Sequence, residues 1–167
     1  MMKDDQNITG DWQLIGQDLI AGVVVKEIHR VPTRYGHLTE LFRMDWQVDS
    51  QGVDQVLQSN IDSGGISAWH AHGQTTDRLF ANHGQLKIVL YDSRKSSQTM
   101  GTVNVFRFGT VRPALVVIPP GVWHGVQNTT SAPAMLVNIV DRAYTYESPD
   151  HYRLPVDTPE IPYRFDV

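Results

Sequence analysis

The stretch GGISAWHAHGQTTD at residues 64–77 decides how this sequence folds, together with PPGVWHGVQN at residues 119–128. Side chains two positions apart on a β-strand point to the same face of the sheet, so His70 and His72 project together. In the second stretch a Pro-Gly turn delivers His124 onto the strand that follows it. We therefore expect three imidazoles to share one polar site, where they can ligate a metal or move protons.

Short apolar runs separated by turn residues recur on both sides of these stretches, a pattern typical of an all-β protein. The predicted strands cover residues 23–28, 38–46, 53–57, 66–72, 86–91, 103–108, 115–118 and 135–140. Many short strands at this spacing favour an antiparallel sandwich or jelly roll. We expect a single domain over residues 1–167, with a core at about 30–142 and a proline-rich, extended tail at 143–167.

Length and composition exclude several classes of protein. A chain of 167 residues is long enough to bury one substantial core. The net charge of −4 argues against a nucleic-acid partner, which needs a dense basic face. The chain has no cysteine, so any metal must take nitrogen or oxygen ligands. We find neither a signal-peptide core nor an apolar run of membrane-spanning length, and we predict a cytoplasmic protein with no membrane partner.

Both histidine stretches resemble the two sequence patterns of the cupin superfamily. The first pattern is a glycine, His-x-His, an acidic residue and a second glycine, which fall here on Gly64, His70, His72, Asp77 and Gly84. The second pattern, Pro-x-Gly-x-x-His-x-x-x-Asn, falls on Pro119, Gly121, His124 and Asn128. The resemblance implies the cupin fold, an antiparallel double-stranded β-helix or jelly roll.

Other segments resemble the sugar-nucleotide branch of the cupins, the dTDP-4-dehydrorhamnose 3,5-epimerase family. Residues 84–101, GQLKIVLYDSRKSSQTMG, are similar to its Asp-x-Arg and Ser-Pro-Thr-x-Gly segment. Residues 120–126, PGVWHGV, resemble its Pro-x-Gly-x-x-His-Gly-Phe turn, and residues 34–40, RYGHLTE, resemble its nucleotide-touching Arg-Gly-x-Phe-x-Glu element. The resemblance covers roughly residues 30–155, most of the chain.

A second family of this branch, the dTDP-sugar 3,4-ketoisomerases, carries a His-Ala-His like residues 70–72. Its tail, Tyr-Asp-Glu-Ser-Asp-Tyr-Ile-Arg, is similar to YESPDHYR at residues 146–153. The chain departs from the epimerase pattern at Ser67, where that family has an arginine, and it lacks the segment that supplies that family's catalytic aspartate. Both families move protons next to a keto group on a deoxysugar nucleotide. The resemblance therefore implies this shared chemistry rather than strict 3,5-epimerisation.

The resemblance also assigns catalytic roles. His70 takes the position of the base, and a neutral histidine near its reference pKa of about 6.5 suits proton abstraction at neutral pH. His72 or His124 would hydrogen-bond the keto oxygen or share the proton. Tyr144 or Tyr146 would return a proton from the opposite face of the sugar.

Further residues are candidates for binding the substrate. Arg34 and Arg78 are candidates for the diphosphate, because guanidinium groups match phosphate oxygens. Glu40 belongs to the same nucleotide-touching element as Arg34. Trp69 and Trp123 flank the histidines and are expected in the core or in the walls of the pocket. In the related epimerases the N-terminal strands cross to the partner subunit, so the resemblance implies a homodimer in which Arg34 and Glu40 border a neighbour's site.

Two alternatives remain open. In the first, His70, His72, Asp77 and His124 bind one divalent ion, for which Zn, Ni, Mn and Fe all suit nitrogen and oxygen ligands. The protein would then be a metal-dependent cupin: an isomerase, a dioxygenase or a small-molecule sensor. In the second, the chain is a binding module without catalysis. No organic cofactor is expected, and in every case the partner is a nucleotide-sugar or another small molecule.

Overall fold

The structure is a computed structural model that describes residues 6, 9–11 and 16–166. The strands, in chain order, are β1 Val24–Glu27, β2 Val31–Thr33, β3 Gly36–Leu38, β4 Gln55–Ile61, β5 Ile66–Ala71, β6 Asp77–His83, β7 Gln85–Asp92, β8 Val103–Gly109, β9 Ala114–Ile118, β10 Val122–Asn128, β11 Ala134–Val140 and β12 Tyr152–Arg153. A 3-10 helix at Met44–Trp46 is the one helical segment of the described chain, and it is too short to cross a membrane.

Two five-stranded antiparallel sheets face each other. Their strand orders are β1-β9-β6-β11-β4 and β12-β5-β10-β7-β8, and β2 and β3 form a separate hairpin. Strands that are consecutive in the chain thus lie in opposite sheets along much of the molecule, which is the arrangement of a jelly roll. The predicted all-β, antiparallel cupin jelly roll is confirmed.

The core lies between the two sheets and follows the alternation of strand side chains. On β6, Leu79 faces inward while its neighbours Arg78 and Phe80 face the outside of the sheet. Residues that share the inward direction are Ile88, Leu90, Phe106, Phe108, Val116, Ile118, Val126 and Leu136. Most of these side chains are fully buried, which gives the site a rigid support.

The outer faces of both sheets are covered as well. Segment 41–48 lies over the first sheet, where it contributes Leu41, Phe42 and Trp46 to an apolar cluster. The predicted strand 38–46 is therefore wrong beyond Leu38. Its apolar residues do not alternate, and they are buried by packing flat against a finished sheet rather than by pairing with a strand.

The C-terminal tail covers the second sheet. Ile161 and Phe165 pack against Trp69 there, and β12 pairs with β5. The backbone groups of Trp69 and Leu154 exchange hydrogen bonds of 3.1 and 3.2 Å. The tail is thus hydrogen-bonded to the strand that carries His70.

Candidate active site

Three histidines meet at one end of the space between the sheets, as the strand spacing predicts. His70 on β5 is the register partner of His124 on β10, and their ring centroids are 5.9 Å apart. The His72 ring lies 5.6 Å from that of His124. Gly121 shapes the turn before β10 at a φ of 81°, a region that favours glycine, and its N–H donates to the His72 carbonyl at 2.7 Å. The two sequence motifs are therefore joined directly by their backbones.

A fourth histidine, His151 from the tail, completes the cluster. Its Nε2 lies 2.9 Å from Nδ1 of His70, and its ring centroid lies 5.1 Å from that of His72. The other ring nitrogen of His70, Nε2, is 3.0 Å from the hydroxyl of Ser67. Both nitrogens of the predicted base are thus engaged by neighbours that sequence reasoning did not assign to it.

Asp150 fixes the tail at this place. Its carboxylate accepts hydrogen bonds from the backbone N–H groups of Gly73, Gln74 and Thr75 at 2.7 to 3.0 Å, and from the Thr75 hydroxyl at 3.0 Å. Its carbonyl oxygen lies 2.5 Å from Nδ1 of His72. One residue therefore caps the turn after β5 and orients an imidazole of the site.

Asp77, the first residue of β6, is buried next to two of the histidines. Its Oδ1 accepts a hydrogen bond from the Asn138 amide at 2.7 Å, while Oδ2 lies 3.4 Å from Nε2 of His72 and 3.9 Å from Nε2 of His124. One ligand atom from each of these three residues lies within 4.8 Å of the others. His70 is outside this group, so the structure brings together three of the four predicted metal ligands.

Burial keeps His70, His124 and His151 uncharged at neutral pH. Desolvation, with the neighbouring histidines and Arg153, lowers the pKa of His70 to about 4. Burial also lowers the pKa of His124, although Asp77 opposes the shift, and it lowers the pKa of His151. For Asp150, burial favours the protonated form, but hydrogen bonds from the 73–75 turn outweigh it and hold the pKa low. His70, His124 and His151 are therefore neutral imidazoles, and the carboxylate of Asp150 beside them is charged.

Two adjoining cavities give access to these groups. The inner cavity, of about 150 Å³, is lined by His70, His72 and His124 together with apolar side chains of the core. The outer cavity, of about 320 Å³, is lined by His72, His151 and a set of exposed polar side chains. Leu57, His72 and Asn138 line both cavities, and the outer one has the volume of a small-molecule site.

Several predicted substrate-binding residues lie elsewhere. Trp69 and Trp123 face the C-terminal tail, on the side of the sheet opposite the histidines. Arg78 is completely buried on the outer face of β6, where its guanidinium bonds both carboxylate oxygens of Asp49 at 2.7 Å. The prediction missed the consequence of alternation: each of these residues is next in sequence to an inward-facing site residue and must point the other way.

Arg34 and Glu40 also line neither of these two cavities of their own chain. Arg34 is exposed at the tip of the β2–β3 hairpin, and Glu40 pairs with Arg43 at 2.9 Å. Tyr144 does line the outer cavity and is half-exposed, while Tyr146, its ring partner at 5.3 Å, is almost fully exposed.

Sequence reasoning missed His151, Asp150 and Arg142. The first two lie in the YESPDHYR segment, whose similarity to the ketoisomerase tail was the available signal. Arg142 lines the mouth of the outer cavity just after β11, and no ion pair ties it to another described residue. Nothing in the sequence around it distinguishes it from an ordinary surface arginine.

Comparison with known proteins identifies the family of this chain. The family model described as dTDP-4-dehydrorhamnose 3,5-epimerase matches residues 17–165. The chain is 33% identical over 140 residues to the probable low-salt glycan biosynthesis epimerase Agl13 of Haloferax volcanii, covering 83% of this chain and 89% of that protein. It is 31% identical over 149 residues to the spore coat polysaccharide biosynthesis protein SpsL of Bacillus subtilis, covering 89% and 98%.

A solved structure agrees with these relatives. The dTDP sugar isomerase of Desulfovibrio desulfuricans G20 superposes with a TM-score of 0.80 at 28% identity, over 86% of this chain and 90% of that one. The matching family model spans most of the chain, and two relatives exceed 30% identity over most of its length. The chain therefore belongs to the dTDP-4-dehydrorhamnose 3,5-epimerase family of cupins and is a sugar epimerase or isomerase.

Proposed function

We propose that this enzyme acts on a dTDP-linked 4-keto-6-deoxysugar and moves a proton at a carbon next to the carbonyl. The observation that carries the proposal is His70, a neutral imidazole that lines the inner cavity among convergent polar groups. The similarity to a dTDP sugar isomerase supports the choice of nucleotide. A C–H bond next to a ketone is acidic because the enolate spreads its charge onto oxygen, so a positioned neutral base is the main requirement.

The neighbouring groups match the remaining steps. His70 accepts the proton, and the charge that develops on the keto oxygen needs a donor. A proton shared between Nε2 of His72 and the carboxylate of Asp77, 3.4 Å apart, would serve as that donor. Tyr144, on the wall of the outer cavity, would return a proton from the opposite face of the sugar.

Arg142 is the candidate to hold the diphosphate, in place of Arg78. It is exposed at the outer cavity and forms no hydrogen bond or ion pair with the residues that the structure describes, whereas the N–H groups of Arg78 bond Asp49 and backbone carbonyls. An exposed guanidinium at the mouth of a cavity suits a diphosphate that remains partly in solvent.

Deuterium exchange tests this function directly. The enzyme is incubated with dTDP-4-keto-6-deoxyglucose in D₂O, and NMR follows the loss of the protons at C3 and C5. We expect exchange that falls by about 10²- to 10⁴-fold in His70→Ala, the usual loss for a general base. The control is His83→Ala, because His83 is exposed at the end of β6. No exchange with the natural sequence would reject the proposed reaction and leave a binding module.

A metal-dependent cupin is the second candidate, and one specific observation favours it. Nδ1 of His72 faces the Asp150 carbonyl and Nδ1 of His124 faces that of Val122 at 3.4 Å, which leaves the lone pairs at Nε2 of each ring. These lone pairs converge on an oxygen of Asp77, and such a group needs a cation, either a proton or a metal ion. The donor set suits Zn, Ni, Mn or Fe, and a bound ion would supply Lewis acidity towards a keto oxygen.

Metal analysis of the purified protein separates these candidates. Near-stoichiometric Zn, Ni, Mn or Fe that is lost in His124→Gln and retained in His83→Gln would establish the metal centre. Protein without metal after growth in metal-supplemented medium, with exchange activity intact, would eliminate it.

We also propose a homodimer. β4 has β11 on one side and, within the described part of the chain, an open edge on the other, where Val56 is 60% exposed. The β2–β3 hairpin presents further apolar side chains, with Val31 at 53% and Leu38 at 51% exposure. Open edges and apolar patches of this kind are normally covered. Light scattering should give twice the chain mass, and a monomer at micromolar concentration would contradict the proposal.

A further inference from the structure

His151 lies against His70, the predicted base, and the proposed function assigns His151 no role. Its Nε2 is 2.9 Å from Nδ1 of His70, within the range of a strong N–H···N hydrogen bond, and the two ring planes are inclined by 49°. Between two neutral imidazoles such a contact has one donor and one acceptor, so each ring fixes the tautomer of the other.

The position of His151 is set by the tail on both sides of it. The preceding residue, Asp150, is anchored by four hydrogen bonds to the 73–75 turn. The following residues, Tyr152 and Arg153, pair with β5 in the register Tyr152↔Ala71 and Arg153↔His70. The imidazole of His151 is therefore held between two fixed points and has little freedom to leave His70.

The second contact of His70 defines its reactive atom. Nε2 lies 3.0 Å from the hydroxyl of Ser67, which lines the inner cavity together with His70, whereas Nδ1 faces His151 of the tail. A base that works at Nε2 must carry its proton on Nδ1 and needs an acceptor there. A base in the opposite tautomer would present an N–H to the substrate and could not abstract a proton.

We propose that His151 is the positioning residue of the base: its Nε2 accepts the Nδ1–H of His70 and so keeps the lone pair of His70 on Nε2, facing the cavity. This inference rests on the proposed function in taking His70 as the base. When Nε2 takes the substrate proton, the Nδ1–H of the resulting imidazolium remains bonded to His151, so orientation is kept through the step. A neutral imidazole thus performs the orienting role that a carboxylate plays for many catalytic histidines.

Two variants separate positioning from packing. His151→Gln keeps an acceptor oxygen at similar reach, while His151→Phe keeps the bulk of a ring and removes the acceptor. We expect His151→Phe to lower kcat for deuterium exchange by about 10- to 100-fold with KM changed by less than about 3-fold, and His151→Gln to recover most of the loss. A role in packing alone would make the phenylalanine variant the milder of the two, and that result would overturn the proposal.

A second measurement needs no substrate. Protein with ¹⁵N-labelled histidine is studied by NMR at neutral pH, where the nitrogen shifts report which nitrogen of His70 carries the proton. We expect the Nδ1–H tautomer in the natural sequence and in His151→Gln, and a mixture of tautomers in His151→Phe, with His83→Phe as the unchanged control.

The exchange kinetics and the NMR of the tautomers distinguish failure of the positioning role from failure of the proposed substrate. The expected tautomers without exchange of dTDP-4-keto-6-deoxyglucose would support the positioning role and reject the proposed substrate. Exchange that is equally fast in His151→Phe and in the natural sequence would support the substrate and reject the positioning role. An Nε2–H tautomer of His70 in the natural sequence would also overturn the inference.

Discussion

Nδ1 of His72 lies 2.5 Å from the carbonyl oxygen of Asp150, although the two residues are 78 positions apart in the chain. Asp150 also uses its carboxylate to cap the turn that follows His72. The orientation of a site histidine and the attachment of the tail therefore depend on one aspartate, and a change at that position should affect stability and activity together.

Asp150→Ala should lower the free energy of unfolding by about 1–2 kcal/mol, because it removes the acceptor for three backbone N–H groups at a partly exposed site. For a chain of this size the loss corresponds to roughly 2–8 °C in Tm. Activity should fall further than stability predicts, since the main-chain carbonyl that orients His72 and the adjacent His151 both lose the support of the Asp150 carboxylate. Calorimetry and the exchange assay check this, with Asp157→Ala, an exposed change in the same tail, as the control.

Arg78→Met should destabilise the protein by about 3–5 kcal/mol, because it leaves the carboxylate of Asp49 without its buried partner. The matched variant Arg142→Met should leave the free energy of unfolding within about 0.5 kcal/mol and raise KM for the nucleotide sugar about 10-fold. Urea denaturation and steady-state kinetics of the two variants test the assignment. A raised KM in a stable Arg78→Met enzyme would restore Arg78 to the diphosphate site.

Those features of the site that depend on local strand and turn geometry could be predicted from the sequence. Strand alternation and the turn at Gly121 predict that His70, His72 and His124 meet, and all three line one cavity. The same rule applied to Trp69 would have placed it on the far side of the sheet, since it is adjacent to His70.

Long-range packing was not predictable in this way. His151 reaches His70 across 81 residues, and only the folded tail makes the contact. Likewise, Leu41 and Phe42 read as part of a strand, and only the presence of a finished sheet beneath them explains an irregular covering segment.

Asp92 predicts a pH dependence of stability. Its buried carboxylate is bonded by Arg94, by Ser97 at 2.6 Å and by Thr99 at 2.7 Å. Burial alone would raise its pKa, but these hydrogen bonds outweigh burial and hold the pKa well below the usual range. The folded-state pKa is thus below the unfolded value of about 3.9, so the stabilisation is complete above that pH and is lost as the pH falls through the folded value.

Asp92→Asn should therefore cost about 2–3 kcal/mol at pH 7, and the difference from the natural sequence should shrink below about pH 4. The same network bonds the backbone of Ala21 through Arg94 and Thr99, so the variant should also loosen the segment before β1. Urea denaturation at a series of pH values from 7 to about 3 measures the effect. A penalty that is constant across this range would show that the charge of Asp92 contributes nothing.

The role of Tyr144 can be separated from that of His70 by the fate of the proton. In the proposed reaction His70 removes a proton from one face of the sugar, and inversion requires a donor on the other face. Tyr144 lines the outer cavity with 46% of its surface exposed, whereas Tyr146 beside it is 83% exposed and lines neither cavity. The geometry therefore favours Tyr144 as the donor.

In D₂O, Tyr144→Phe should still wash deuterium into recovered substrate, because His70 can return a deuteron to the face from which it took the proton. Formation of the inverted product should fall by about 10²-fold or more, the usual contribution of a general acid. NMR resolves the two sugars and their deuterium content in the same sample. If Tyr144→Phe slows both processes equally, the tyrosine acts in binding, and if Tyr146→Phe alone abolishes inversion, the donor is Tyr146.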